Sequence, residues 1–474
     1  MATERLSLFA TTFNLNGSLP SLADVRLWLQ GQCNGNDITK EGGEHHQRTS
    51  RCSASDADLV VISLQESPVA TNAVSSTSGA GPERIEPMMF SAGMSGPSNN
   101  CTENKGGETE FLDKIQSVLS KEHDLVADVS MGAKSCSRKV EWHGYLRLLV
   151  YARGSEFVTE LRRSSIGIAI AVGGKAMSRS NKILSNNAPP NYTQYHALGS
   201  PDKGAVCLVM PTLKMVAVCV HLAGTNKHGV AEVTFDRTRH KQLHVISRAL
   251  DDTVQNIGCS DENIDSWRKI IAGDLNFRVE VHDEAEHKCR GGEDWKAVAD
   301  IVQGGGQDDS GPTCNQQRVA ELFCCHDRLV QYLEKGPIHL QTNHGKDGED
   351  DDTLTHPKLL NSIVDLIHYK CFLGTNTSSK RDPQIIMPTF SFQAESHAND
   401  VISSDASDAS KMSVVRRQYS DKRTPSWPDR ILMSRELVEK GDNASSIVTV
   451  GSCPRITLSD HCPVWSYAGC LDVR

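Results

Sequence analysis

No stretch of this chain reaches the ~18 uninterrupted apolar residues that a membrane-spanning helix needs, so no span is expected. Aromatic residues are scarce, at 5% of 474. A core must therefore come mainly from Val, Ile, Leu and Ala. Basic charge is not in excess: 50 Lys and Arg face 59 Asp and Glu, a formal net charge of -9. That balance argues against a nucleic-acid partner, which leaves a basic footprint. It says little about a small anionic ligand, because a local Lys/Arg pocket is invisible in a total. The G-x-x-x-x-G-K-[ST] phosphate loop and the G-x-S-x-G nucleophile elbow are both missing. Nucleotide-driven transfer and Ser-hydrolase chemistry therefore lack their motifs. Cysteine is not scarce: there are 15, irregularly spaced, with Cys324-Cys325 the one adjacent pair and no C-x-x-C knuckle. The opening residues, MATERLSLFA, are too charged for the apolar core of a signal peptide. Reduced thiols in a cytoplasmic protein are the expectation.

What is present is a series of short apolar runs bounded by turn residues, the pattern of buried strands. They fall at 6–10, 59–64, 146–150, 166–170, 205–209, 215–220, 269–272, 430–433 and 463–465. The 205–209 and 215–220 pair reads as a hairpin. Apolar spacing of three and four predicts helices over 231–251, 109–121 and 316–334. Many strands with several helices suggest sheets covered by helices. Five polar segments, 30–57, 70–108, 172–200, 341–384 and 394–415, are expected as surface insertions. The length fits either two or three average domains or one enlarged domain.

Polar clusters sit where the predicted strands end. Asn14 and Asn16 lie two apart and point the same way in an extended chain, although Asn16-Gly17 is also an ordinary turn signal. Glu66 ends a very apolar strand and must be solvated, paired or metal-bound. Gly273-Asp274-Leu275-Asn276-Phe277-Arg278 follows another strand. Its Asp274 and Asn276 offer hard oxygen ligands suited to Mg²⁺ or Ca²⁺, and Asp274 could take a proton from water. Ser459-Asp460-His461 has a capped turn as its plain alternative. Asp429 is a candidate partner for a His ring N–H. His221 ends strand 215–220 and could reach the same ligand; a strand-end His satisfied by backbone is its ordinary reading. Together these types suit metal-assisted phosphoester hydrolysis: a cation polarises the phosphoryl oxygen, a carboxylate activates water, and a charged His stabilises the developing charge.

The ordered set resembles the inositol polyphosphate 5-phosphatase catalytic domain of the endonuclease/exonuclease/phosphatase superfamily. The segments carrying the likeness are Gln65-Glu66, His221-Leu222-Ala223, Gly273 to Arg278, Pro425-Ser426-Trp427-Pro428-Asp429-Arg430-Ile431-Leu432 and Ser459-Asp460-His461-Cys462-Pro463-Val464. Asp202-Lys203-Gly204 is similar to the family's Asn-Lys-Gly. The resemblance spans 5–468, implying one catalytic domain with insertions. It implies a four-layer α/β/β/α sandwich, Mg²⁺ as cofactor, and removal of the 5-phosphate from a phosphoinositide or soluble inositol polyphosphate, with peripheral contact to a membrane surface. By position, Glu66 would be the main metal ligand, with Asn14, Asn16 and Asp460 beside it. Asp274 would be the general base, Asn276 would orient substrate or water, and Asp429 would hold the transition-state stabiliser His461. His221, Lys203, Arg278, Lys422 and Arg423 would face the substrate. Trp427 is expected as a packing wedge and Arg430 as half of an ion pair whose partner the sequence does not name.

Three departures bear on substrate preference. Thr225 stands where the family has a second His. Phe390 and Ser391 replace a Tyr and a Lys that meet the ring 4-phosphate, and Asp421 stands at another Lys site. Charge-assisted bonds are worth ~1.5–3 kcal/mol each, so a 4-phosphate preference does not carry over. Two other readings stay open: a nuclease or sphingomyelinase-type phosphodiesterase on the same fold, and a weakly catalytic inositide-binding scaffold.

Overall fold

The computed structural model describes residues 5–30, 53–67, 105–137, 140–172, 194–198, 203–224, 232–257, 263–279, 282–283, 288–289, 298, 301–302, 312–336, 355–368, 388–390, 425–438, 448–453 and 456–472. Strands β1 (Arg5–Asn14), β2 (Leu59–Ser67), β3 (His123–Ser137), β4 (Val140–Arg153), β14 (Val448–Ser452) and β15 (Val464–Asp472) form one sheet, in the order β14-β15-β1-β2-β4-β3. Strands β5 (Ile166–Val172), β6 (Gln194–Leu198), β7 (Gly204–Met210), β8 (Met215–His221), β9 (Arg268–Asp274), β12 (Ile363–Asp365) and β13 (Asp429–Ser434) form a second, in the order β12-β13-β9-β8-β7-β5-β6. A two-residue ladder joins β10 (His282–Asp283) to β11 (Lys288–Cys289).

Strand alternation decides the layering. Leu8 and Ala10 of β1, Val61 of β2, Leu148 of β4, Val206 of β7, Ala217 of β8, Ile270 of β9 and Ile431 of β13 all point into one core between the sheets. Their neighbours Phe9, Phe13, Val60 and Ile62 face outward and are covered by helices α1 (Leu22–Leu29) and α2 (Lys105–Val118). On the other side Ala205, Val216, Val218 and Ile271 are covered by Leu243, Ile246 and Leu250 of α4 (Glu232–Asn256). The result is α/β/β/α, as the resemblance implies. Helix α3 (Ser155–Ser164) joins the central core through Val158 and Leu161.

The expected hairpin is present: β7 and β8 pair antiparallel, with Lys214 in the left-handed region closing the turn (φ +45°). The expected helix over 316–334 is instead two, α5 (Pro312–His326) and α6 (Arg328–Lys335). Asp327 breaks it, because its Oδ1 accepts from the amides of Leu329 and Val330, each at 3.1 Å, and so starts a new helix. A short α7 (Arg435–Val438) follows β13.

Parts of the expected insertions belong to the fold. Within 30–57, Ala54 and Ala57 are buried. Residues 105–108 open α2, and residues 172 and 194–198 lie in β5 and β6. Within 341–384, Leu359, Leu360, Leu366 and Ile367 are core. These apolar pairs were masked by the acidic run just before them. Residues 31–52, 70–104, 173–193, 199–200, 341–354, 369–384 and 394–415 lie outside the described residues, as do Lys422 and Arg423. Among the described residues no helix is long and apolar enough to cross a membrane. Reduced thiols are found at Cys207, Cys219, Cys324, Cys325 and Cys462, but Cys453 is disulfide-bonded. That bond departs from the expectation of uniformly reduced cysteines.

Candidate active site

The topology brings six chain segments to one place. β1 runs parallel to β2, and β8 parallel to β9, so Asn14, Glu66, His221 and Asp274 all sit at or beside carboxyl ends of strands. β13 runs antiparallel to β9 and begins with Asp429 directly opposite Asp274. β15 begins just after His461. Close approach of β8 and β9 requires a glycine at 273: its φ is +156°, and a Cβ there would lie 2.1 Å from the Val220 carbonyl oxygen.

Each strand end then curls. Asn16, Glu66 and Asn276 have φ of +46°, +50° and +58°, three of the five non-glycine residues with positive φ among those described. Left-handed backbone at such residues is uncommon and persists where the surroundings enforce it. At Asn16 and Asn276 side chains do so. Asn14 Oδ1 accepts from the Asn16 amide at 3.1 Å, and Asp274 Oδ1 accepts from the Asn276 amide at 3.0 Å.

The curled ends enclose a polar cavity of about 250 Å³. Asn14 Nδ2 donates to Asp274 Oδ2 at 3.1 Å. Asn276 Nδ2 donates to the Leu222 carbonyl at 3.0 Å, and its Oδ1 accepts from Arg278 Nη2 at 2.6 Å. The Arg278 guanidinium lies 3.7 Å from the centre of the Phe390 ring, which packs 4.5 Å from the His461 ring. Lys203 Nζ contacts the His221 ring, whose Nε2 is 3.5 Å from Asp274 Oδ2 and 3.7 Å from Glu66 Oε1. His461 Nδ1 is 2.9 Å from Asp429 Oδ2, which also accepts from Thr389 Oγ1 at 2.9 Å. Its Nε2 faces the cavity, 4.0 Å from both Asp274 Oδ2 and Asp460 Oδ1.

Charges in so small a volume shift one another. Burial pushes the His221 ring well below the usual imidazole range, and the Lys203 ammonium lowers it further, so it is neutral. Burial would lower His461 too, but the charge and hydrogen bond of Asp429, with Asp460 and Asp274, hold it at about 9. Burial would raise Asp274, but His461, His221, Arg278 and Lys203 together keep it at about 2. Asp429 is raised by burial, an effect that His461 partly offsets. Glu66 is also raised by burial, with Lys203 and His461 opposing.

Among the described residues, no three His, Cys, Asp or Glu side chains form a ready metal cage. A small hard cation is nonetheless compatible with the donors, because Mg²⁺ usually takes one or two carboxylates and keeps several waters. The carboxylate of Glu66 is 18% exposed, lines the cavity, and receives no hydrogen bond from any described residue. Asn16 and Asp460 line the same cavity. Asn14 fits that role less well than the sequence suggested, since its amide is already committed to Asp274 and Asn16.

The cavity thus collects Asn14, Asn16, Glu66, Lys203, His221, Asp274, Asn276, Arg278, Asp460 and His461 from the predicted set, with Asp429 behind His461. Sequence reasoning missed Thr389, which anchors Asp429, and the place of Phe390 between Arg278 and His461. The predicted partner of Arg430 is two carboxylates: Asp365 Oδ2 contacts Nη1, and Asp327 Oδ2 lies 2.5 Å from Nη2. Trp427 is fully buried, edge-on to Phe323 at 4.9 Å, which is the expected packing role.

A scan against protein-family models and a search of curated proteins each gave no match. Several solved structures are similar. The Cimex nitrophorin ferrous NO complex has 12% identity and a TM-score of 0.42, covering 98% of this chain and 99% of that one. TDP2 from C. elegans has 9% identity and a TM-score of 0.28, covering 98% and 75%. An endonuclease/exonuclease/phosphatase family protein from Bacteroides thetaiotaomicron has 10% identity and a TM-score of 0.30, covering 99% and 96%. At such distances none of them says what this chain does.

Proposed function

We propose that this protein is a Mg²⁺-dependent phosphoester hydrolase of the endonuclease/exonuclease/phosphatase type that removes the 5-phosphate from phosphoinositides or soluble inositol polyphosphates. The observation that carries the reading is the arrangement about Asp274. A cationic imidazole, a lysine and an arginine surround one buried carboxylate, opposite a second carboxylate, Glu66, that lines the cavity and receives no hydrogen bond from any described residue.

Lys203 and Arg278 would bind the non-bridging phosphoryl oxygens. Asp274 Oδ2 would orient the attacking water in line with the scissile bond. At about 2 it is a weak base in the free protein. A bound phosphate dianion would neutralise the cations that hold it there and so raise its basicity. His461 Nε2–H would stabilise the charge developing on phosphorus-bound oxygen, with Asp429 keeping the ring charged and oriented. Mg²⁺, held through Glu66 with Asn16 and Asp460 nearby, would add Lewis-acid polarisation of the phosphoryl group.

A phosphodiester substrate is the second reading. Phe390 favours it, because an aromatic wall beside His461 offers no donor to a second phosphate on the substrate. The test is a panel of 5-phosphorylated inositides, soluble and in vesicles, with purified protein and Mg²⁺. Release of inorganic phosphate supports the monoester reading. A phosphomonoester product from a diester supports the second. Neither product from any substrate sinks both.

A further inference from the structure

We infer that Arg430 is a positioning residue for the Asp429–His461 pair, holding the turn at 427–429 so that the carboxylate meets imidazole Nδ1. Arg430 follows Asp429 in β13, and strand alternation sends its side chain to the opposite face. There the guanidinium is fully buried between two carboxylates, a carbonyl and an aromatic ring. Nη1 contacts Asp365 at the end of β12, and Nη2 contacts Asp327 at the head of α6. Nε donates to the carbonyl of Trp427, three residues back. The Phe323 ring lies 4.8 Å from the guanidinium and also packs against Trp427.

Arg430 therefore closes, from inside, the turn that delivers Asp429. The other braces on that turn come from segments carrying site residues. The Leu275 amide donates to the Pro428 carbonyl at 2.8 Å, and the amides of Thr389 and Phe390 donate to the Ser426 carbonyl at 3.0 and 3.2 Å. Asp327 extends the connection: its neighbour Arg328 donates a backbone bond to the Arg278 carbonyl at 3.1 Å. A neutral side chain at 430 would leave a buried carbonyl and two buried carboxylates without their cation. The cheapest relief is movement of the turn, and Asp429 is the next residue along it.

The test uses the full chain with ¹⁵N-labelled histidine. The downfield proton of His461 Nδ1–H is assigned by its loss in His461→Gln. His123, whose Nε2 lies 2.7 Å from the Ala57 carbonyl at the opposite end of β2, gives a second proton that reports the fold. In Arg430→Met the His461 signal is expected to shift or exchange away while the His123 signal stays. If both signals are unchanged, Arg430 is not a positioning residue; loss of both means the variant has not folded. Should Arg430→Met not fold, Asp365→Asn, which keeps the guanidinium, is read by the same two signals and the same criterion. A kinetic arm rests on the proposed hydrolase activity. Arg430→Met should lower kcat about 10²-fold, the cost of roughly 1 Å of misplacement, with KM little changed. The double variant with Asp429→Ala should be no slower than Asp429→Ala alone; additive losses overturn the inference. A wild-type protein that hydrolyses no phosphoester sinks the proposed function and leaves the two proton signals to decide this one.

Discussion

Two clusters of buried charge lie back to back across β13. On one face His461, Asp274 and Glu66 border an open cavity, with Asp429 behind His461. On the other, Asp327, Arg430 and Asp365 are sealed beneath Trp427 and Phe323. Both remove carboxylates from water, the sealed one around the Arg430 guanidinium and the open one around His461, Lys203 and Arg278. They differ in what is left over. In the sealed cluster every group has turned inward: Asp327 also caps a helix, and Asp365 Oδ1 accepts from the Ile367 amide at 3.0 Å. In the open cluster His461 Nε2 and the Glu66 carboxylate face the cavity. A buried charge turned wholly onto its neighbours holds architecture together, whereas one that faces a cavity is placed to meet a ligand.

Substitutions sharpen this contrast. The largest effect is expected at the open face: Asp274→Asn or His461→Ala should lower kcat/KM on the order of 10²–10⁴-fold, with Tm nearly unchanged. Steady-state kinetics alongside thermal unfolding checks both halves. At the sealed face the pattern reverses. Asp365→Ala leaves the guanidinium under-compensated and should cost roughly 3–5 kcal/mol of stability, read from denaturant midpoints. Equal stability losses at both faces would erase the distinction.

Smaller effects probe the ligands and the protons. Glu66→Gln should raise the Mg²⁺ concentration for half-maximal activity at least ~10-fold, about 1.4 kcal/mol, since an amide replaces a carboxylate that lines the cavity. A metal titration of activity after chelation measures it. For pH, His461 is the acid whose charged form is needed. Its pKa is raised to about 9, so activity should persist through neutrality and be lost as pH rises through about 9. Asp429→Asn removes the charge that holds that proton, and the alkaline limb should move toward neutral by about one unit or more, each unit being ~1.4 kcal/mol. A pH–rate profile whose limb stays put would detach His461 from Asp429.

Much of this was legible in the sequence, and for a physical reason. Buried strands must be apolar, so Asn14, Glu66, His221, Asp274 and Asp429 stand out where apolar runs stop. The nine runs are all strands, although longer than the runs themselves: 146–150 extends to Val140–Arg153 because its outer part carries polar side chains. β3 was invisible, since HDLVADVSMGAKSCS mixes small and polar residues without a clean period. The Thr389–Asp429 bond joins residues 40 apart, and nothing in a lone threonine announces it. Asp365 was hidden in a segment read as an insertion. Lys422 and Arg423 lie outside the described residues, and their expected substrate contacts remain proposals.

The two sheets also share a datum. Ser63 of β2 donates its hydroxyl to the Ala272 carbonyl of β9 at 2.7 Å, across the central core. Glu66 lies three residues beyond that bond on one sheet, and Asp274 two residues beyond it on the other. Inserting one residue between 63 and 66 would advance Glu66 by roughly 3.3 Å and turn it to the wrong face, while leaving the core between the sheets filled. The spacing of the two carboxylates is thus gauged from a hydroxyl buried well below the cavity, and chain-length changes in those few residues should be far less tolerated than any in the surface loops.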